Sequence, residues 1–352
     1  MGEVTLTETR GEYECFDVRS AFLDLTNLKL QYLPPKADAI HGVFMVQRGH
    51  IILDHCNIDT TDILIVRWAG CSALDIQFSH CNINQNGDWN TVLSEQGDHV
   101  VFRNCNVTGR GFFTSPGSFL TSRSCVFGTG LWVDGEALLT DCTSGQITIG
   151  RSGTVTGSHC RMTNGRYAVE ILRGANAAFE DCEFTPEVFV HNNWGAGDSA
   201  DIPTIPGRFS RCRFGSGITV TGNACSLQDC DISWGGEQLG GSTILDIHAG
   251  GVVNVIHSRL LADMERLVPI LKNGALTFPT QPKQVVSIMK NGKVTFSNCD
   301  LRGLGSHWIA PEPGSTVKLI DTQVDSPTTK APVLQKSHKA VPKDSKTKIR
   351  KN

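Results

Sequence analysis

The chain is poor in charge and has no long apolar run. Charged residues make up 19% of its 352 positions. No stretch approaches the ~18 apolar residues of a membrane-spanning helix, so no membrane span is expected. The opening MGEVTLTETRGEYECF is polar and acidic and lacks the apolar core of a secretion signal. Thirteen cysteines contain no CxxC pair, which argues against a cysteine-ligated metal. Helical periodicity is scarce as well: only 258–273, SRLLADMERLVPILKN, reads as one short helix.

What is present is a repeated phrase: an apolar residue, two polar ones, usually cysteine, a polar residue, then another apolar one. It runs from LDHCNI (53–58), FSHCNI (78–83) and FRNCNV (102–107) through nine further copies to LIDTQV (319–324). Successive copies lie 17 residues apart (Cys125 to Cys142) to 41 (Ser258 to Cys299), too short and too variable for common helical repeats. Ahead of the phrases stand alternating, Val- and Ile-rich runs such as ITIGRSG, YAVEILRG and VVSIMKNG, each stopped by Gly or Asn. That is the signature of a strand and a turn.

Each repeat therefore predicts three short strands. The first precedes the Gly turn, the second ends before the phrase, and the third is its Cys-x-apolar piece. The two residues before the cysteine make a tight corner. Its second residue is His55, His80, Asn104, Ser124, Asp141, His159, Asp181, Arg211, Asp229, His257, Asn298 and Asp321 in turn. All but Ser124 and Arg211 are Asn, Asp or His, the non-glycine types most at ease in the left-handed region. Ten cysteines share one inward position: Cys56, Cys81, Cys105, Cys125, Cys142, Cys160, Cys182, Cys212, Cys230 and Cys299. Ser258 and Thr322 replace it in the other copies, so small size is the common property. The sequence predicts a buried ladder of free thiols, which implies folding in a reducing compartment.

This pattern, with VTFSNC (294–299) as its clearest unit, resembles the pectate-lyase-like superfamily. That superfamily includes polysaccharide lyases, pectin hydrolases and phage tailspikes. The resemblance spans about 42–324 and implies an all-β, single-stranded right-handed parallel β-helix of about twelve coils with an inward cysteine ladder. Stacked at strand spacing, twelve coils make a rod on the order of 60 Å long. Residues 1–41 are expected as an N-terminal cap or attachment segment, 42–325 as the β-helix and 326–352 as a disordered, flexible basic tail. From Lys330 to Asn352 the tail holds eight Lys or Arg against one Asp, a net of +7. It suits an acidic partner or nucleic acid, or simple solubility.

Along the third strands, Arg161, Glu183, Arg213, Asp231, Arg259 and Asp300 alternate in sign. Stacked in order they would fix register rather than perform chemistry. The resemblance places substrates along the outside of the first strands. There the candidates are Glu170, His191, Asp246 and His248 as catalytic groups, and Trp132, Asp134, Arg151, Arg173, Trp194 and Lys290 as ligand contacts. Thr219 shares that face. Asp198 and Asp201 occupy the largest middle insertion. Trp132, Phe189, Trp194, Trp234 and Trp308 fall on outward strand positions or in loops by this register, where the rings either stack on sugars or partners or are buried by loops that fold back against the rod. The NTD, GHG and RIK signatures of pectin hydrolases are missing, as is the aspartate cluster of calcium-dependent lyases.

The expected function is a non-enzymatic, virion-associated β-helical protein, a spike or capsid protrusion that binds a receptor or polysaccharide. It would fold in the cytoplasm of the producing cell and assemble as a homo-oligomer, typically a trimer, with no cofactor and no metal. The alternative is a polysaccharide lyase or glycoside hydrolase acting along the β-helix. A scaffold docked through the basic tail is a third reading.

Overall fold

The computed structural model describes residues 4–8, 14–18, 21–32, 42–46, 49–60, 63–67, 73–85, 93–94, 96–109, 112–128, 130–165, 167–191, 206–233, 243–248, 250–261, 270–272, 275–277, 285–302, 304, 308–324 and 335–336. Among them no helix occurs. Parallel strands stack into long sheets, and consecutive strands of the chain visit one sheet after another. This is the coil path of a parallel β-helix.

The first strands form a ten-stranded sheet from Leu93–Ser94 to Ile309–Pro311. The second strands form a fourteen-stranded sheet beginning at Ala21–Thr26. The third strands form another of fourteen, from Val4–Glu8 to Gln323–Val324. In the earliest coils the first-strand place is taken by a separate parallel sheet of Glu14–Val18, Gly42–Val46 and Ile63–Arg67.

The segment expected as a cap thus contributes strands to the same ladders: Ala21–Thr26 pairs with Gly49–Asp54, and Leu28–Tyr32 with Asn57–Thr60. Of the basic tail only Gln335–Lys336 is described, and it pairs with Thr316–Ile320. The helix expected at 258–273 is corrected by strands at Arg259–Leu261 and Ile270–Lys272. The latter makes an antiparallel pair with Ala275–Thr277. Periodicity over a short run does not separate helix from strand, and residues 262–269 lie outside the described residues.

All twelve corner residues have positive φ, from 47° at Asp321 to 55° at Ser124, and Asn27 adds a thirteenth at 57°. The ten ladder cysteines are buried and free. Each donates its thiol to the carbonyl two residues back at 3.2–3.4 Å. Ser258 and Thr322 make the same bond at 2.8 and 3.0 Å. The position therefore selects a small side chain that also donates a hydrogen, which size alone does not explain. Cys225 is a further buried thiol outside the ladder. Burial pushes both it and Cys299 above the ordinary thiol range.

Aromatic stacks fill the remaining core. Phe78 lies on Phe102 at 4.7 Å, and Phe184 packs on Phe214 at 5.0 Å and edge-on to Phe209 at 5.5 Å. Trp308, for which the sequence leaves an exposed and a buried ring both open, is only 9% exposed and meets Phe296 edge-on at 5.9 Å. Of the two readings the structure therefore shows burial.

Candidate functional site

The outer face of the first-strand sheet combines hydrogen-bonded polar side chains with stacked aromatic rings. Parallel register puts Phe113, Trp132, Thr148, Glu170, Phe189, Thr219, Asp246, Ser287 and Ala310 in one row, one per strand. The strands alternate because their other residues, such as Ile149, Ile171, Val190 and Val220, are fully buried in the core.

In the middle of this row the polar groups are themselves enclosed. His191 is 4% exposed, and its Nε2 lies 2.9 Å from Glu170 Oε1. Thr148 donates to the other oxygen of Glu170 at 3.3 Å, and Gln146 Nε2 donates to Thr148 at 3.1 Å. Thr219 donates to Glu187, which is 9% exposed. Tyr167 stacks on Phe189 at 5.0 Å, and Phe189 on His191 at 4.5 Å. A shift in register between Tyr167 and Val169 lets this happen: Tyr167 lies opposite Glu187 while Glu170 lies opposite Phe189. Such bulges re-aim side chains and are over-represented beside functional sites.

Two coils beyond His191, His248 Nε2 lies 2.9 Å from Asp246 Oδ2. The other carboxylate oxygen, Oδ1, is buried without a hydrogen-bond partner. Toward the other end, Trp132 is 43% exposed and donates Nε1–H to Asp134 at 2.9 Å. Gly150 makes room for that carboxylate, since a Cβ there would fall 1.6 Å from Asp134 Oδ1.

The structure thus joins the four expected catalytic residues as two pairs, Glu170 with His191 and Asp246 with His248. Glu170 and Asp246 stand three strand steps apart, ~14 Å by sheet spacing. Arg151 and Arg173 sit in the turn after the first strand on neighbouring coils. Lys290 occupies the same turn four coils past Arg173, ~19 Å away, so these cations do not converge on one carboxylate. Trp194, Trp234, Asp198 and Asp201 lie outside the described residues. Glu187 escaped the sequence reading although the signal was there. It stands two and four residues before Phe189 and His191 and so shares their face.

Chemically the cluster offers enclosed carboxylates beside imidazoles, a stacked aromatic column, and an exposed indole along one line. No protein-family model matches the chain, and no curated protein matches it.

Proposed function

We propose that this protein is a non-enzymatic β-helical rod that holds an extended polysaccharide along the outer face of its first-strand sheet. In this reading the coil is the right-handed one of the pectate-lyase-like superfamily, and the rod serves as a virion spike or protrusion. The observation that carries the binding reading is Trp132. An exposed indole fixed by Asp134 lies in the same row as the polar Glu170–His191 pair. Sugars bind through that combination of a ring face and hydrogen-bonding groups. The free buried thiols support folding in a reducing compartment, as a virion protein made in a host cytoplasm requires.

The test is retention on a panel of immobilised polysaccharides. Trp132→Ala should weaken the retained member about ten-fold while leaving the unfolding transition in place. If no polysaccharide is retained, or if Trp132→Ala binds like wild type, the reading fails. Light scattering behind size exclusion tests the assembly: a trimer supports the spike, a monomer counts against it.

One observation favours glycoside hydrolysis as a second reading. Glu170 and Glu187 sit on adjacent strands, diagonal to one another, about 7–8 Å apart between Cα atoms. That lies within reach of the separation two hydrolytic carboxylates need, which Glu170 and Asp246 exceed. New reducing ends released by wild type but not by Glu187→Gln would replace the binding-only proposal with this one.

A further inference from the structure

A second group of side chains, on the corner between the second and third strands, points to different chemistry. Asp54 ends the strand Gly49–Asp54, His55 follows it at the corner, and His80 occupies the equivalent corner one coil on. Both histidines have φ 54°, so the backbone aims both imidazoles to the same side without help from packing. Asp54 Oδ2 lies 3.0 Å from His55 Nδ1, and Oδ1 lies 3.2 Å from His80 Nδ1. The two rings stack at 4.5 Å with 19° between their planes. One ligand atom from each residue falls within 4.8 Å of the other two.

We propose that Asp54, His55 and His80 bind one divalent transition-metal ion of the zinc class. Imidazole nitrogen and carboxylate oxygen are the donors such an ion takes, at about 2.0–2.2 Å each. Two donors on one ion then stand about 3–3.5 Å apart, the span that already separates each histidine from one of the two Asp54 oxygens. Both imidazoles are exposed, so their rings can tilt out of the stack to turn their lone pairs on a shared ion, and water can complete the coordination.

Asn104, at the next corner, supplies the outer contact. Its Nδ2 lies 3.2 Å from His80 Nε2, within hydrogen-bond reach. When the metal takes Nδ1, the ring proton sits on Nε2. A flip of the Asn104 amide then offers Oδ1 to receive it, the outer hydrogen bond that metal-bound histidines commonly make.

Among the described residues this geometry occurs at these coils alone. His50, Asp75 and His99 also form a His–Asp–His row, with His50 3.1 Å and His99 3.9 Å from Asp75. There the histidines stand two coils apart, ~10 Å, on either side of the carboxylate. In the proposed site they are on adjacent coils.

The experiment is calorimetric titration of untagged, full-length protein with zinc chloride. One saturable site is expected, weakened at least about ten-fold by His55→Asn, by His80→Asn and by Asp54→Asn. Asparagine already stands at this corner in Asn104 and Asn298, both at φ 53°, so the histidine variants keep the fold. His257→Asn, at a corner outside the cluster, should leave the titration unchanged. Absence of saturation up to about 1 mM zinc would overturn the proposal. So would binding that survives all three variants, which would place the ion elsewhere, for instance on the cysteines.

Discussion

The corner edge of the rod and the outer face of its first-strand sheet belong to the same coils but treat polar side chains in opposite ways. At the corner and the adjoining third strand, charges pair along the stack and stay in water. Arg161 meets Glu183, Arg211 meets Asp181, and Arg259 meets Asp231, with half or more of each arginine side chain exposed. Arg259 also lies directly opposite Asp300 in register, so the 262–284 insertion adds no strand between them in this sheet. On the first-strand face the Glu170 and His191 side chains are 17% and 5% exposed. The last coils use Ser287 and Ala310 at the Glu170 position, so the fold itself does not need an acid there. Periodic exposed pairs hold register. Enclosed pairs on a few coils incur a desolvation cost that stacking does not require, which is why they form the candidate site.

The largest effect that would test this contrast is on His191. His191→Ala removes the imidazole that contacts Glu170 and stacks on Phe189, leaving a largely buried carboxylate poorly solvated. About 2 kcal/mol of stability should be lost in urea unfolding. Arg259→Ala, which breaks an exposed pair, should cost only about 0.2–0.5 kcal/mol and less still at high salt. Equal costs for the two variants would erase the distinction between the faces.

Between these lies a test of the corner backbone. Asn298 holds φ 53°. Asn298→Val forces a β-branched residue into the left-handed region and should cost about 1–2 kcal/mol. Asn298→Gly should be within about 0.5 kcal/mol of wild type. If valine were tolerated as well as glycine, the Asn, Asp and His preference at the corners would need another cause than backbone conformation.

The corner side of the molecule was legible because its cause is local. A two-residue bend needs a left-handed residue, and that need recurs in every coil. The same phrase fixed the third-strand register and the buried cysteines. The first-strand face was legible only as a direction. Alternation told which residues of YAVEILRG and EVFVH point outward, but not that a bulge beside Tyr167 would bring Tyr167, Phe189 and His191 into one stack. Nor did it show that Glu187 would be enclosed with Thr219. The side taken by Trp308, between the phrases FSNCDL and LIDTQV, stayed open because a loop aromatic can face either way, and its packing on Phe296 decides for burial. The metal-binding potential of His55 and His80 was hidden by their success as corner residues, since one property explained both.

Acid titration gives the smallest and most local effect. Asp300 is held near about 2, chiefly by the Arg302 side chain and then by its backbone N–H. Hydrogen bonding to His55 lowers Asp54 and pairing with Arg211 lowers Asp181 in the same direction. An unfolded aspartate titrates near ~3.9. A carboxylate depressed in the folded state contributes its full stability above that value and loses it as pH falls through the folded pKa. Thermal unfolding should therefore move to lower temperature between about pH 4 and pH 2, and Asp300→Asn should flatten part of that slope. Arg302→Ala should flatten it as well, because it removes the main cause of the shift while leaving the acid in place. At about 1 M salt the wild-type slope should approach that of the variants, since the pair is open to solvent and screening reaches within ~3 Å. A slope that neither variant nor salt changes would mean that the exposed Asp300–Arg302 pair contributes nothing to acid stability.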